Sequence, residues 1–554
     1  MTAARPPRPA RGRLRLPRLA GALAVTAAVS LALSACAGGA AAGGGTGDAT
    51  KPVDGGDLSF AIANDPISLN PSGTGSGNDT LYVTRQLFDS LLYQSPKDGS
   101  LKPWLASSWE ANDDATRYTF HLRDDVTFSD GTALTSAEVK GTFDDIVAAG
   151  AKSTVVSAFL GYSGTETPDE HTAVVTFSTP NAAFPNSTSQ VGLGIVSAAG
   201  LKIPYSDRAT GDGLYGSGPF VLKKYTKDVE TVLEKRDDYA WGPASLNKGE
   251  AAHLDSVTFQ VVPEASVRTG SLSSDQVDVI GGVQPNDVQV LKTSDLPVVS
   301  RANPGVAFGL GFNEQSPKLG DVRVREAVAR AVDSVEVRDT ALNDLFAVGT
   351  SALAKTTPGY KDESGRFTHD AKKAAKLLDE AGWKLGSDGV REKDGEPLEL
   401  KLIWISNFGP NQTSLELIQQ QLKKVGVKLT LDGGAVVPDF LAKQQSGDFD
   451  ITWGNQSRAD GDILRTAFSS AGTNYYRIDD AELETLLQQQ LATGDADARD
   501  KILGQVQDQL ATQYYHVPIH ELTSILGTQQ SVHGVSFGAD SRLDLLTAAW
   551  KDGE

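Results

Sequence analysis

The chain has 554 residues and a formal charge of −19, from 51 Lys and Arg against 70 Asp and Glu. That excess of acid repels phosphate backbones and anionic lipid, so nucleic acid is excluded as a natural partner. A single cysteine, Cys36, rules out an intramolecular disulfide and a cysteine zinc cluster, and the 40% hydrophobic composition is ample for more than one core.

The first segment reads as an address. Arg5, Arg8, Arg11, Arg13, Arg15 and Arg18 form a basic start with no acid among them, followed by an apolar run over residues 19–33. The run is shorter than the ~20 residues a spanning helix needs. It ends in Leu33-Ser34-Ala35-Cys36, which resembles a bacterial lipobox. Residues 1–35 are therefore expected to be a lipoprotein signal peptide, with Cys36 as the lipidated residue. Residues 36–56 hold that cysteine and a Gly- and Ala-rich linker, whose root-mean-square reach is about 25 Å.

In the body of the chain, Leu58 to Ile62 reads as a first strand, and residues 79–93 as a helix with Leu81, Leu87, Phe88, Leu91 and Leu92 on its apolar side. Tyr118, Phe120 and Leu122 alternate with Thr119, His121 and Arg123, the period of a half-buried strand. Asp130-Gly131 marks a turn, and Thr135 with Glu138 has the spacing of a capping box that starts a helix. Gly216 and Gly218 suit a tight backbone approach before a hairpin. Val257, Phe259 and Val261 alternate in a further strand. From Val306 an α/β rhythm follows. Helices are predicted to open at Asp321 and Asp370 and over residues 413–425, 480–491 and 497–511, with strands at 398–405, 427–431 and 517–519.

One long stretch carries more than periodicity. Trp109-Glu110, Asp114, Tyr118-Thr-Phe-His-Leu-Arg123, Val126, Phe128, Asp130-Gly131 and Leu134-Thr135 resemble, in order and spacing, the signature of family 5 bacterial extracellular solute-binding proteins. Asp65-Pro66-Ile67-Ser68-Leu69-Asn70-Pro71 and Gly216-Ser217-Gly218-Pro219-Phe220 resemble other segments of that family, and the likeness runs from about residue 56 to the C-terminus. It implies an α/β, two-lobed periplasmic-binding-protein-like fold (type II, large peptide-binding class) with hinge strands and a subdivided first lobe. Lobe I would comprise residues 57–308 plus 527–554, with an inserted subdomain at about 81–216, and lobe II residues 309–526.

The resemblance also implies a function. The protein would be the substrate-binding lipoprotein of an ABC importer, lipid-anchored to the outer face of the cytoplasmic membrane. It would capture a short peptide or similar polar solute between its lobes and deliver it to a permease with cytoplasmic ATPases, without a cofactor and without catalysis. A sensor or scaffold of the cell envelope that reuses the fold is the alternative.

The loop after Trp453 is the richest candidate site. Peptide-binding relatives carry there an aspartate that meets the peptide ammonium, which implies that role for Asp460, with Asp462 as the later acid of the motif. Arg458 departs from the family pattern and can hold a carboxylate; a plain Arg458–Asp460 salt bridge is the structural alternative. Trp453, Trp404, Ser406 and Asn407 end strands where open α/β sheets place ligands, and Asn313 ends the first hinge strand.

Two other chemistries are weighed and set aside. His516 and His520 are four apart but separated by Pro518 in a strand, so convergence on nickel is not expected. Gly534-Val535-Ser536-Phe537-Gly538 matches G-x-S-x-G, yet no histidine follows Ser536 in the sequence and His533 precedes it, the wrong order for a hydrolase triad, so the segment is read as a turn near the last strands.

Overall fold

The computed structural model describes residues 51–552, apart from Ser76, Val436 and Thr473. The expected signal peptide, Cys36 and most of the linker lie outside the described residues. Among the described residues no helix is long and apolar enough to cross a membrane.

A seven-stranded sheet organises the first lobe. Its spatial order runs Val298–Ala302, Thr523–Thr528, Val279–Ile280, Asp57–Ile62, Ser256–Val261, Glu230–Lys235 and Phe220–Thr226. Asp57–Ile62 pairs in parallel with strands on both sides, while the flanking hairpins are antiparallel, so the sheet is mixed. Phe60, Tyr82, Phe220, Val257 and Phe259 are buried together on it. A second sheet of five strands organises the other lobe, in the order Lys428–Ala435, Glu399–Ile405, Ile451–Ser457, Gly305–Phe312 and His516–His520. It too is mixed. The apolar faces of Val322–Ala331, Ala371–Glu380 and Asn411–Lys424 close its core.

A third, wholly antiparallel sheet holds Ala106–Ala111, Arg117–Leu122, Thr172–Phe177 and Tyr162–Asp169. Its core is separate, and the fully buried ring of Phe184 sits among Tyr118, Phe143, Phe159 and Phe177 at centroid distances of 4.8–5.9 Å. The helix Ser136–Ala149 covers this sheet. It starts as its capping box dictates: Thr135 Oγ1 accepts from the Ala137 N–H at 3.2 Å, and Glu138 Oε2 accepts from the Thr135 N–H at 3.0 Å.

The chain passes between the first two sheets at two places. Val298–Ala302 runs into Gly305–Phe312 through Asn303 and Pro304, and His516–His520 runs into Thr523–Thr528 through Glu521 and Leu522. The two passages lie side by side, with the Asn303 N–H donating to the Leu522 carbonyl at 2.7 Å and Ser524 Oγ donating to Asn303 Oδ1 at 2.9 Å. The sequence reading put lobe edges near 308 and 526; the sheets change a few residues earlier, at 303–304 and 521–522.

The helix predicted over 79–93 is shorter, Asn78–Leu87, and Leu92–Gln94 is a strand. The helix ends because Phe88 turns to extended backbone and Asp89 is drawn into a buried network. Asp89 Oδ2 accepts from Trp241 Nε1 at 3.0 Å and from Ser217 Oγ at 3.1 Å. The segment that supplies Ser217 reaches Asp89 only because Gly216 and Gly218 lack side chains: a Cβ at either would collide with the carbonyls of Leu87 and Gln86. Gly216→Ala is therefore expected to destabilise the protein by ~1–3 kcal/mol in urea unfolding, and a wild-type midpoint would show that the backbones can separate freely.

Burial raises the Asp89 carboxyl from 3.8 to about 7, against the lowering effect of the Trp241 and Ser217 donors. Because the folded value lies above the unfolded one, this group's stabilising contribution is complete below about pH 4 and is lost as pH rises through about 7. Thermal melts between about pH 5 and pH 8 should show the wild type losing more stability with rising pH than Asp89→Asn does; parallel curves would remove Asp89 as the cause.

Candidate functional site

A cavity of about 860 Å³ lies where the second sheet's loops face the first lobe. The second lobe contributes Leu441, Tyr475 and the run Ser457-Arg458-Ala459. Opposite stand Arg85 on the helix Asn78–Leu87, Tyr93 and Gln94 on the strand after it, and the C-terminal loop 538–544. A second cavity of about 310 Å³ is lined by Gln315, Gln444, Gln445, Asn474 and Arg477, and shares Leu441 and Tyr475 with the first.

The loop that enters the cavity is held rigidly from behind. Ile451–Ser457 continues as strand past the predicted end at Trp453, and a short helix, Ile463–Phe468, follows where only a loop was expected. Between them, Asp460 is 3% exposed and turned away from the cavity lining. Arg499, on the helix Ala496–Thr512, holds it with two parallel bonds, Nη2 to Oδ1 at 2.7 Å and Nη1 to Oδ2 at 3.0 Å. Burial alone would raise the Asp460 carboxyl; the charge and hydrogen bonds of Arg499 outweigh it and hold the carboxyl below its ordinary value. The salt bridge weighed from sequence thus exists, with Arg499 in place of Arg458.

Asp462 is equally committed. Arg465 bonds both its oxygens at 2.7 and 2.8 Å, and Gln490 Nε2 donates to Oδ1 at 2.7 Å. With both acids occupied, the loop presents Arg458 to the cavity. The Arg458 backbone N–H donates to the Pro304 carbonyl at 3.2 Å, and its Nη1 donates to Thr466 Oγ1 at 3.1 Å. From the first lobe, Gln94 Nε2 donates to the Ala459 carbonyl at 2.7 Å and Asn186 Nδ2 at 3.3 Å, so two amides clasp the tip of this loop.

The other nominated residues sit elsewhere. Trp453 is buried in the second-lobe core with its indole N–H on Asn411 Oδ1 at 2.9 Å. Trp404 is also buried, packed so closely on the backbone at Gly433 that no side chain fits there. Ser406 and Asn407 are exposed beyond the strand end, outside the cavity lining. Asn313 is buried and ties its strand to the neighbouring turn, Nδ2 donating to the Phe449 carbonyl at 2.8 Å. Strand-end position alone does not separate a ligand contact from a core residue, whereas Arg85, Tyr93, Gln94 and the loop 538–544 reach the cavity from segments far apart in the chain.

His516 and His520 lie in the core of the second lobe, where burial lowers both imidazoles to about 4. His516 Nε2 lies 3.1 Å from the Ala307 carbonyl, and His520 stacks on Phe308 at 4.8 Å. Gly534 to Gly538 belongs to an irregular segment followed, among the described residues, by no α-helix and only the single 3-10 turn Leu546–Ala548; Phe537 bridges to Leu543, and the turn between them forms the cavity-lining loop.

Replacing Asp460 by Leu would leave the Arg499 guanidinium buried without its counter-charge, and breaking such a pair costs ~3–5 kcal/mol. Asp460→Leu and Arg499→Met should each lower the unfolding midpoint, and the double variant Asp460→Leu/Arg499→Met should recover most of the loss. Additive losses in that cycle would show the two residues acting independently.

Comparison with known proteins closes the assignment. The model of the bacterial extracellular solute-binding proteins, family 5, matches residues 100–475. A probable D,D-dipeptide-binding periplasmic protein of Escherichia coli is 27% identical over 499 residues, covering 87% of this chain and 91% of its own length. Among solved structures, NikA from Brucella suis in complex with Fe(III)-EDTA superposes with a TM-score of 0.79 at 23% identity, covering 90% of this chain and all of its own. AgaA from A. tumefaciens in complex with agropinic acid superposes at 0.72 with 27% identity, covering 90% of this chain and 99% of its own. With two lobes of mixed sheet joined by paired crossings and a cavity between them, this chain belongs to family 5 of the bacterial extracellular solute-binding proteins, a family of binding proteins and not of enzymes.

Proposed function

We propose that this protein captures a short peptide or a comparably small polar solute in the cavity between its lobes and hands it to an ABC permease driven by cytoplasmic ATPases. The observation that carries the reading is the cavity itself: about 860 Å³, walled by both lobes, beside the two short passages that join them. Contacts to both walls favour closure by the difference in ligand affinity between the closed and open states. The adjoining space of about 310 Å³ extends the groove for a longer ligand, and its amide-rich lining suits a chain of peptide groups.

Relatives support the class of solute. Among those similar to this chain are a dipeptide-binding protein and a nickel-binding periplasmic protein of Escherichia coli and an oligopeptide-binding protein of Bacillus subtilis. We assign lobe I to residues 57–303 together with the segment from 522 onward, and lobe II to the chain between. In this reading Arg458 touches ligand, while Asp460 and Asp462 position its loop. The lipobox at Cys36 would tether the protein to the outer face of the cytoplasmic membrane.

Thermal-shift screening of the purified protein against di- to pentapeptides, sugars and nickel tests the reading directly. A ligand present at about 100 times its Kd should add ~2.7 kcal/mol of stability; a response to nickel alone would replace the peptide reading. Cys36→Ala should abolish the lipid mass increment and release the protein from the membrane fraction, and unchanged retention would defeat the anchor.

A further inference from the structure

The charges that face the cavity differ from those of the molecule as a whole. The chain is strongly acidic, yet three guanidinium groups line this one space: Arg85 and Arg542 from the first lobe and Arg458 from the second. Among the described residues neither Arg85 nor Arg542 has a carboxylate partner within 4.0 Å. Arg85 spends one donor each on Ser90 Oγ and the Ser189 carbonyl, both at 3.0 Å, and lies over the Trp104 ring. Arg542 is 8% exposed; its Nη1 donates to the Asp540 carbonyl at 2.7 Å, and its buried Nε has no partner. The nearest carboxylate to Arg458 is Asp462 at 3.8 Å, already bonded twice by Arg465.

The acids in the lining, Asp540 and Asp544, are fewer than the guanidinium groups. Asp544 is buried, with Oδ2 taking the Tyr93 hydroxyl at 2.8 Å and Oδ1 the Leu545 N–H at 2.9 Å, and burial raises its carboxyl. Asp540 spends Oδ1 on the Arg542 N–H at 3.0 Å. A desolvated guanidinium without a counter-charge is unfavourable unless the site's occupant supplies one.

The two cationic loops are also anchored to one place. Ser541 Oγ donates to the Ala302 carbonyl at 2.8 Å, at the end of the strand that enters the first passage, and the Arg458 N–H donates to the Pro304 carbonyl at 3.2 Å within it, so the two anchors lie two residues apart. An anion drawn between Arg542 and Arg458 would pull on both walls at once.

We propose that the cavity selects its solute by anionic groups, and that its ligands are small carboxylate-bearing compounds clamped by Arg85 and Arg542 on one lobe and Arg458 on the other. No ligand ammonium is required, because the acids of the 457–462 loop are consumed internally. This inference rests on the capture reading above and narrows its solute class.

The test is a thermal-shift and calorimetric comparison of the intact protein with four probe groups at low salt. They are citrate and succinate, N-acetyl-glutamyl-glutamate, alanyl-alanine with its C-terminal amide, and maltose. The carboxylate probes, including the acetylated dipeptide, should bind, and amidation should abolish whatever response alanyl-alanine gives. Arg458→Gln and Arg542→Gln should each weaken the best probe by about tenfold or more, and added salt should weaken it further. Arg458→Gln is the safer variant, since that side chain is only partly buried, and its unliganded melting point should match wild type.

Binding of maltose or of the amidated dipeptide with no response to carboxylates would overturn the charge inference and leave solute capture standing. Binding of carboxylates undiminished in both arginine variants would overturn it as well. Silence across all four groups would overturn the charge inference, and silence across the wider peptide and sugar screen too would take the capture reading with it.

Discussion

The rest of the molecule depends on the paired passage between the sheets. Two stretches of two residues each carry the chain from the first sheet to the second and back, and the Asn303–Leu522 backbone bond zips them together. Each passage continues straight from strand to strand, so rotation of one lobe against the other is concentrated in about four residues. Glu521, buried within the second passage, accepts the Lys355 N–H at 3.0 Å, while its own N–H donates to the Ala347 carbonyl at 2.8 Å. Second-lobe loops thereby brace the passage from the side.

From this anchor the site follows by short steps. Asp460 and Arg499 fix the far side of the 457–462 loop to a long helix, so the loop cannot swing as a free lid. Its near side is fixed to Pro304. What remains adjustable is the Arg458 side chain and the distance from this loop to the opposite wall. On the proposed reading, in which Arg458 touches ligand, the second lobe would carry that group as a rigid body.

The fold was legible in the sequence because its signals are local. Thr135 with Glu138, Asp321, Asp370, Asp480 and Asp495 all cap helices at or within a residue or two of where the pattern placed a start. The misread end of the helix at Leu87 shows the limit: Leu91 and Leu92 keep helical spacing, and only the distant partners of Asp89, Trp241 and Ser217, reveal why the helix stops. The site was less legible for the same reason. An Asp-rich loop after a strand looks alike whether its acids face a ligand or a distant arginine, and Arg499 lies 39 residues from Asp460. The C-terminal loop, remembered in sequence only for a coincidental G-x-S-x-G, forms a wall of the cavity.

The clasp of Gln94 and Asn186 on the Ala459 carbonyl bears on how affinity is set. These bonds join the lobes without any help from a solute, so part of the attraction that holds the two halves together is intrinsic to the polypeptide. Apparent affinity is the intrinsic affinity scaled by the fraction of molecules already in the competent arrangement. Evolution can therefore retune how tightly a solute is held by altering two amides that lie beside the ligand space, raising or lowering every Kd in proportion while the rank order among solutes stays the same. On the proposed reading, selectivity and affinity are in this way carried by different residues.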